Sequence, residues 1–230
     1  VFSGQPENFL ERSLMKIGIG IGTLITLGLL LDILRIPLDY RIFLGISAAS
    51  MAFYLFKSKA LQSIKGWKFK LTQSDLLALA VLALFFITFF MYHKGAFSYP
   101  YLEDDDSWAH AVGVKYVAVE KTVSAPKIGI RYMDPYPPGY DMLFGIIHQT
   151  NDSVYWTLKF FNALVISLSI IFFYFFARLF TGSQKKAFFS AFALFAIPSF
   201  LSHFIWSIAI TMPLFIVSFS SIIFIFNSIL

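Results

Sequence analysis

No cysteine occurs among the 230 residues of this chain. That excludes disulfides, thiolate metal sites and cysteine nucleophiles, and leaves the compartment undetermined. Charge is scarce as well, with Asp, Glu, Lys and Arg at 13% of residues against 58% hydrophobic ones, 29 of them Phe. At a mean hydropathy of +0.73, such a chain cannot hide its apolar surface inside a water-soluble domain. The reading is an integral membrane protein. Internal repeats and low-complexity tracts are lacking beyond Phe-rich stretches of the kind lipid-facing helices contain. The chain has no initiator Met and stops directly behind an apolar run, so a longer protein with more sequence towards its C-terminus is expected.

Apolar runs long enough, or nearly so, to cross a hydrocarbon core of ~30 Å appear at Leu14 to Leu31, Tyr40 to Phe56, Asp75 to Tyr92, Val154 to Phe180, Ala187 to Leu201 and Phe204 to Phe226. They predict an all-α polytopic fold with about six transmembrane helices. The first is too long, and lacks the small-residue cleavage site, to be a signal peptide. Lysine and arginine resist translocation, so the connections carrying Lys57, Lys59, Lys65, Lys68 and Lys70, and Arg178, Lys185 and Lys186, are assigned to the cytoplasm. By alternation the long connection, residues 93–150, lies outside.

That exterior connection opens on four consecutive carboxylates, Glu103, Asp104, Asp105 and Asp106. Neighbouring carboxylates repel and raise one another's proton affinity, which favours a cation, a basic ligand or a proton held for chemistry. The plainer alternative is capping, in which Asp106 or Ser107 accepts the free amides of a helix's first turn. Ser107 to Val123 is expected to form an amphipathic helix lying in the membrane interface. Its stripe is Trp108, Val112, Tyr116, Val119 and Val123, with His110, Lys115, Glu120 and Lys121 away from the stripe. The next stretch, Tyr132 to Tyr140, has prolines that forbid a regular helix and three tyrosines that suit either a sugar or headgroup ligand or simple interfacial anchoring. A short apolar helix, Met142 to His148, follows.

These motifs resemble the first external loop of the GT-C class of membrane glycosyltransferases. Asp106-Ser107-Trp108-Ala109-His110 is similar to the sequence that follows the first conserved span in archaeal and eukaryotic catalytic subunits of oligosaccharyltransferase. Tyr136-Pro137-Pro138-Gly139-Tyr140 is similar to the end of that loop in lipid-phosphate-sugar-dependent relatives. The likeness covers roughly Leu76 to Thr211, leaving residues 1–70 as two added helices with a basic cytoplasmic loop and residues 71–230 as the start of the GT-C-like module.

The resemblance implies an inverting, membrane-bound protein glycosylation enzyme or relative. It would move a sugar from a polyprenyl-phosphate or diphosphate donor to a protein, glycan or lipid acceptor on the exterior face of the cell membrane, with membrane lipid and no nucleic acid as further partner. Asp106, with Asp104 beside it, would hold a divalent cation, Mg²⁺ or Mn²⁺, or act as general base on the acceptor, with Glu103 and Asp105 in support. The oligosaccharyltransferase pattern calls for a second acidic motif after Pro198 to His203, and none is present, which favours a lipid monophosphate donor. His203 falls near the place of a basic residue in that family.

The residues themselves suggest other candidates. Lys159, about a turn and a half inside the fourth span, either snorkels or meets phosphate. Arg131 and Lys127 are phosphate candidates or simply solvated. His110 is either a polar-face residue or a ligand, and Tyr136 and Tyr140 are candidate substrate contacts. Asp134 and Asp141 either complete a site or cap turns, and Asn151-Asp152-Ser153 fits an N-glycosylation acceptor. Two other function classes stay open: a transporter or channel with an acidic vestibule, which the absence of Asp and Glu inside the spans opposes, and a non-catalytic subunit whose loop binds a partner.

Overall fold

The computed structural model describes residues 9–57, 73–124, 133, 136–197, 205 and 207–229. Among these the chain is all helical: α1 Phe9–Ile33, α2 Tyr40–Lys57, α3 Gln73–Ser98, α4 Asp105–Glu120, α5 Gly139–His148, α6 Val154–Thr181, α7 Gln184–Phe195 and α8 Ile208–Ile229. Three helices are long and apolar enough to cross a membrane, over Leu14–Ile33, Leu76–Ser98 and Val154–Thr181. The other expected spans differ. Helix α2 has 18 residues and carries Arg41 and Lys57 at its two ends. Helix α7 has 12 residues, about 18 Å at 1.5 Å per residue, too short for the ~30 Å core. Its expected continuation to Leu201 lies outside the described residues. Helix α8 has 22 residues with Pro213 inside, and its described apolar part is Ile208–Phe219.

Helix α6 is the hub. It packs on α3, α7 and α8 and touches α1, α4 and α5, which is why 61% of its most apolar stretch is buried, against 22% for α1 and α3. A buried cluster around Val81, Ile170, Tyr174 and Ala187 joins its C-terminal half to α3 and α7. A second, around Tyr92, Val114, Phe144, Leu158 and Ile210, closes its N-terminal half and incorporates α4 and α5. The connection between α3 and α6 therefore contains a pair of helices built into the core.

The boundaries follow from local chemistry. Ser153 accepts from the Trp156 amide to start α6, and Gly182, at φ 60°, turns the chain at its end while its N–H donates to the Arg178 carbonyl. Ser183 caps α7 in the same manner. Pro137 and Pro138 delay α5 until Gly139, and the Pro138 carbonyl accepts the Met142 amide at 2.8 Å.

Two glycines set how closely helices approach. A Cβ on Gly145 of α5 would lie 2.6 Å from Val117 Cβ and 3.0 Å from the Val114 carbonyl oxygen of α4. A Cβ on Gly28 of α1 would lie 2.6 Å from the Met142 sulfur of α5. The turn between α1 and α2 is tied to the far end of α4 by polar contacts. Asp32 accepts from the Thr122 hydroxyl, the Val123 amide and the Ser124 hydroxyl, and Lys121 pairs with Asp39. Gln149, just past α5, donates to the Leu38 carbonyl at 2.7 Å and accepts the Tyr40 amide at 3.0 Å.

Candidate functional site

The acid cluster stands where α3 has ended and α4 begins. Asp104, with extended backbone at φ −151°, caps α4: its Oδ1 accepts the Ser107 amide and the Ser107 hydroxyl, each at 2.9 Å. The expectation that Asp106 or Ser107 would cap is corrected here. Ser107 is fully buried and donates, because helix geometry aims the amide three residues on at the cap side chain. Glu103 and Asp105 are exposed and Asp106 is half-buried in the first turn. All three carry negative charge at the positive end of the helix dipole.

A cation stands near them. Glu103 lies close enough for its charge to act on Lys159 of α6 and on Tyr92 of α3. Lys159 does not snorkel into water. It is buried, its ammonium donates to the Tyr99 carbonyl at 2.6 Å, and it sits 5.8 Å from the centre of the Phe97 ring. A lysine on a span thereby finds its acceptor at the frayed end of the neighbouring helix.

Helix α4 has two faces, and only one was read from the apolar periodicity. Trp108, Val112 and Val119 are exposed on the surface of the fold, as a stripe turned to the membrane interface would be. The opposite face, Ser107, His110, Ala111, Gly113, Val114 and Val117, is buried against α5 and α6. His110 is thus no solvated polar-face residue. Its Nδ1 lies 2.7 Å from Asp141 Oδ1 of α5, both side chains being 2% exposed or less. Burial pushes the Asp141 carboxyl up to about 6, with His110 pulling the other way. Asp141 is neither a turn cap nor a surface ligand.

Tyr140 is likewise a core residue. Its hydroxyl accepts from Asn162 Nδ2 at 2.6 Å, its ring lies 4.5 Å from that of His110, and burial pushes its phenol upward. Tyr136, by contrast, is exposed. Asn151 spends its amide locally, accepting the Ser153 amide and donating to the Thr157 hydroxyl, so it serves the turn before α6. Arg131, Lys127, Asp134 and His203 lie outside the described residues.

The structure therefore brings Glu103 near Lys159 where α3 ends and α6 begins, with Asp104 and Asp106 in the adjoining start of α4, and separately gathers His110, Tyr140, Asp141 and Asn162. Sequence reasoning missed Asn162 and Gly113. The signal for Gly113 is its place three residues after His110, on the same helical face. Among the described residues no three carboxylates or imidazoles converge as a metal site, and Asp104 already spends an oxygen on its cap. Two carboxylates fall short of the oxygen shell that Mg²⁺ or Mn²⁺ takes, so the described donor set does not by itself fit the ion.

A cleft of about 530 Å³ opens elsewhere, between α1 and α8, lined by Gly18, Gly22, Thr26, Leu30, Leu214 and Val217. It lies within the spanning layer, away from the carboxylates. Compared with family models, with curated proteins and with solved structures, the chain matches none.

Proposed function

We propose that this chain forms a membrane glycosyltransferase module that moves a sugar, with inversion, from a polyprenyl-phosphate donor to an acceptor hydroxyl or amide at the exterior face of the cell membrane. The observation that carries the reading is the seating of the carboxylates: an acid-rich first turn, anchored by a helix whose other face is core, with Glu103 beside a buried lysine near the N-terminal end of α6. A loop that only needed a cap would require Asp104 alone. The order of long span, acidic turn, surface-lying helix, short second helix and long span is also that of the GT-C external loop the motifs resemble. On this reading α2, α7 with the residues after it, and α8 are further spans, and the basic connections are cytoplasmic.

In this scheme Asp106 is the general base. It takes the acceptor's proton as the acceptor oxygen or nitrogen bonds to the anomeric carbon, and the bond from that carbon to the phosphate oxygen breaks, the phosphate leaving with the electron pair. One displacement inverts the anomeric centre. Asp104 holds the turn, while Glu103 and Asp105 keep the entrance negative. Tyr136 is placed to meet sugar or headgroup, and Arg131 and His203 are the candidates for donor phosphate. No step is routed through a metal ion.

The test is transfer by purified full-length protein from a panel of radiolabelled polyprenyl-linked sugars, with and without chelator. Asp106→Asn is expected to cost on the order of 10²-fold or more in rate with the fold retained. Glu120→Gln should leave the rate unchanged, and Asp104→Asn should stay near wild type because asparagine caps equally well. Normal turnover by Asp106→Asn at equal membrane abundance overturns the assignment. Loss of activity in chelator would put an ion in the site.

A further inference from the structure

The α4–α5 contact buries chemistry that packing alone does not require. Asp141 is 1% exposed, and only one of its oxygens meets His110. The other, Oδ2, has no hydrogen-bond partner among the described residues. It points into a notch made by Gly113, where a Cβ would lie 2.1 Å from it. Helix α4 is therefore shaped for this carboxyl twice, by an imidazole on one side and a missing side chain on the other. Burying a carboxylate costs several kcal/mol before pairing, and an apolar side chain of that size would pack here without the cost. A peg serving only stability would also have both oxygens satisfied. What the arrangement retains is a group able to gain and lose a proton one helical turn from Asp106, which precedes His110 by four residues on the same face of α4.

We propose that His110 and Asp141 share a proton and act as positioning residues for Asp106, so that the seating of the first turn of α4, and with it turnover, depends on the protonation of the pair. This rests on the transfer reading given above. The groups facing the pair among the described residues are few. Helix α5 itself contributes Tyr140, whose hydroxyl is committed to Asn162, and α6 contributes the uncharged Asn162. Helix α1 meets α5 with Ile25 and Gly28, and α4 supplies Asp106. Burial is what raises Asp141, so the packed contact binds its proton more tightly than the unfolded chain does and is firmest with the carboxyl protonated. As pH rises through about 6 the carboxylate forms at a desolvation cost that the His110 contact only partly offsets, and the hold of α5 on α4 weakens.

The experiment pairs a pH profile with a direct view of the imidazole. Wild-type kcat is expected to fall above about pH 6 while KM for the donor stays level. Asp141→Asn keeps the shape and removes the titration. Being neutral at every pH, this variant should lack that alkaline limb, with helicity and KM retained. A merely structural residue would lower the melting temperature and leave the profile's shape alone. In protein carrying ¹⁵N-labelled histidine, the His110 Nδ1 signal, identified by its loss in His110→Gln, should show the downfield proton of a hydrogen bond to Asp141 and lose it in Asp141→Asn. An Nδ1 signal unchanged in Asp141→Asn overturns the shared proton, and an unchanged pH profile overturns the coupling to turnover. If the wild type transfers no sugar, the transfer reading fails and the positioning role with it, while the imidazole signal still decides the shared proton by itself.

Discussion

Replacing Gly145 with alanine sets two opposing effects against each other. Alanine in a helix is favoured over glycine by roughly 0.4–1 kcal/mol, through propensity and the narrower unfolded ensemble. Against that, the new methyl would lie 2.6 Å from Val117 Cβ, 2.7 Å from its Cγ1 and 3.0 Å from the Val114 carbonyl oxygen. None of these atoms can swing away: one is backbone, and Val117 is fully buried and branched at Cβ. Ordinary contact then requires α4 and α5 to separate by about 1 Å, and overpacking of this kind costs roughly 1–3 kcal/mol. The clash wins, for a net loss of about 1–2 kcal/mol. Gly20, on α1 with nothing within 4 Å of its would-be Cβ, is the control, and Gly20→Ala should be neutral or gain up to about 1 kcal/mol. The assay is loss of helicity as the SDS fraction of mixed micelles is raised. Equal resistance of Gly145→Ala and Gly20→Ala refutes the argument that α5 is seated on α4 through this contact.

The α1–α2 turn offers a second perturbation. Asp32→Ala removes the acceptor for the Thr122 hydroxyl, the Val123 amide and the Ser124 hydroxyl, and is expected to destabilise by about 1–3 kcal/mol in the same micelle assay, with Asp32→Asn intermediate. Orientation is open to test because the chain has no native cysteine. Ser124→Cys, on the exposed segment after α4, should react with an impermeant thiol reagent in intact cells and Ser63→Cys should not, whereas the reverse pattern moves the acidic turn to the cytoplasm.

Much of the helical pattern was legible in the sequence. The fourth apolar run, expected at Val154 to Phe180, is α6 at Val154–Thr181, since Ser153 and Gly182 carry their cap and stop signals locally. The short helix expected at Met142 to His148 is Gly139–His148, opened by the prolines before it. The interfacial helix expected at Ser107 to Val123 is Asp105–Glu120, and it ends where Lys121 turns left-handed at φ 56°. The span count was less legible. Hydropathy sees the apolar run from Ala187 and cannot see that α7 stops at Phe195, with Ala196 donating its N–H to the Phe192 and Ala193 carbonyls.

What the sequence determined by itself is the membrane class, the helices with strong end signals, and the concentration of carboxylates at the start of α4. Each depends on composition or on neighbours within about four residues, and such information is local. The tertiary structure decided what those residues do. Lys159 reads as a snorkelling side chain until α3 presents the Tyr99 carbonyl, 60 residues away in sequence. Tyr140 reads as a ligand platform until Asn162 and His110 enclose it. His110 reads as a surface residue because the second face of α4 is built of Ala111, Gly113, Val114 and Val117, too small to stand out in an apolar periodicity. Its pairing with Asp141 spans 31 residues and exists only because Gly113 and Gly145 let α5 close onto that face. Burial and charge pairing are properties of the packed neighbourhood, and packing is what a linear reading does not contain.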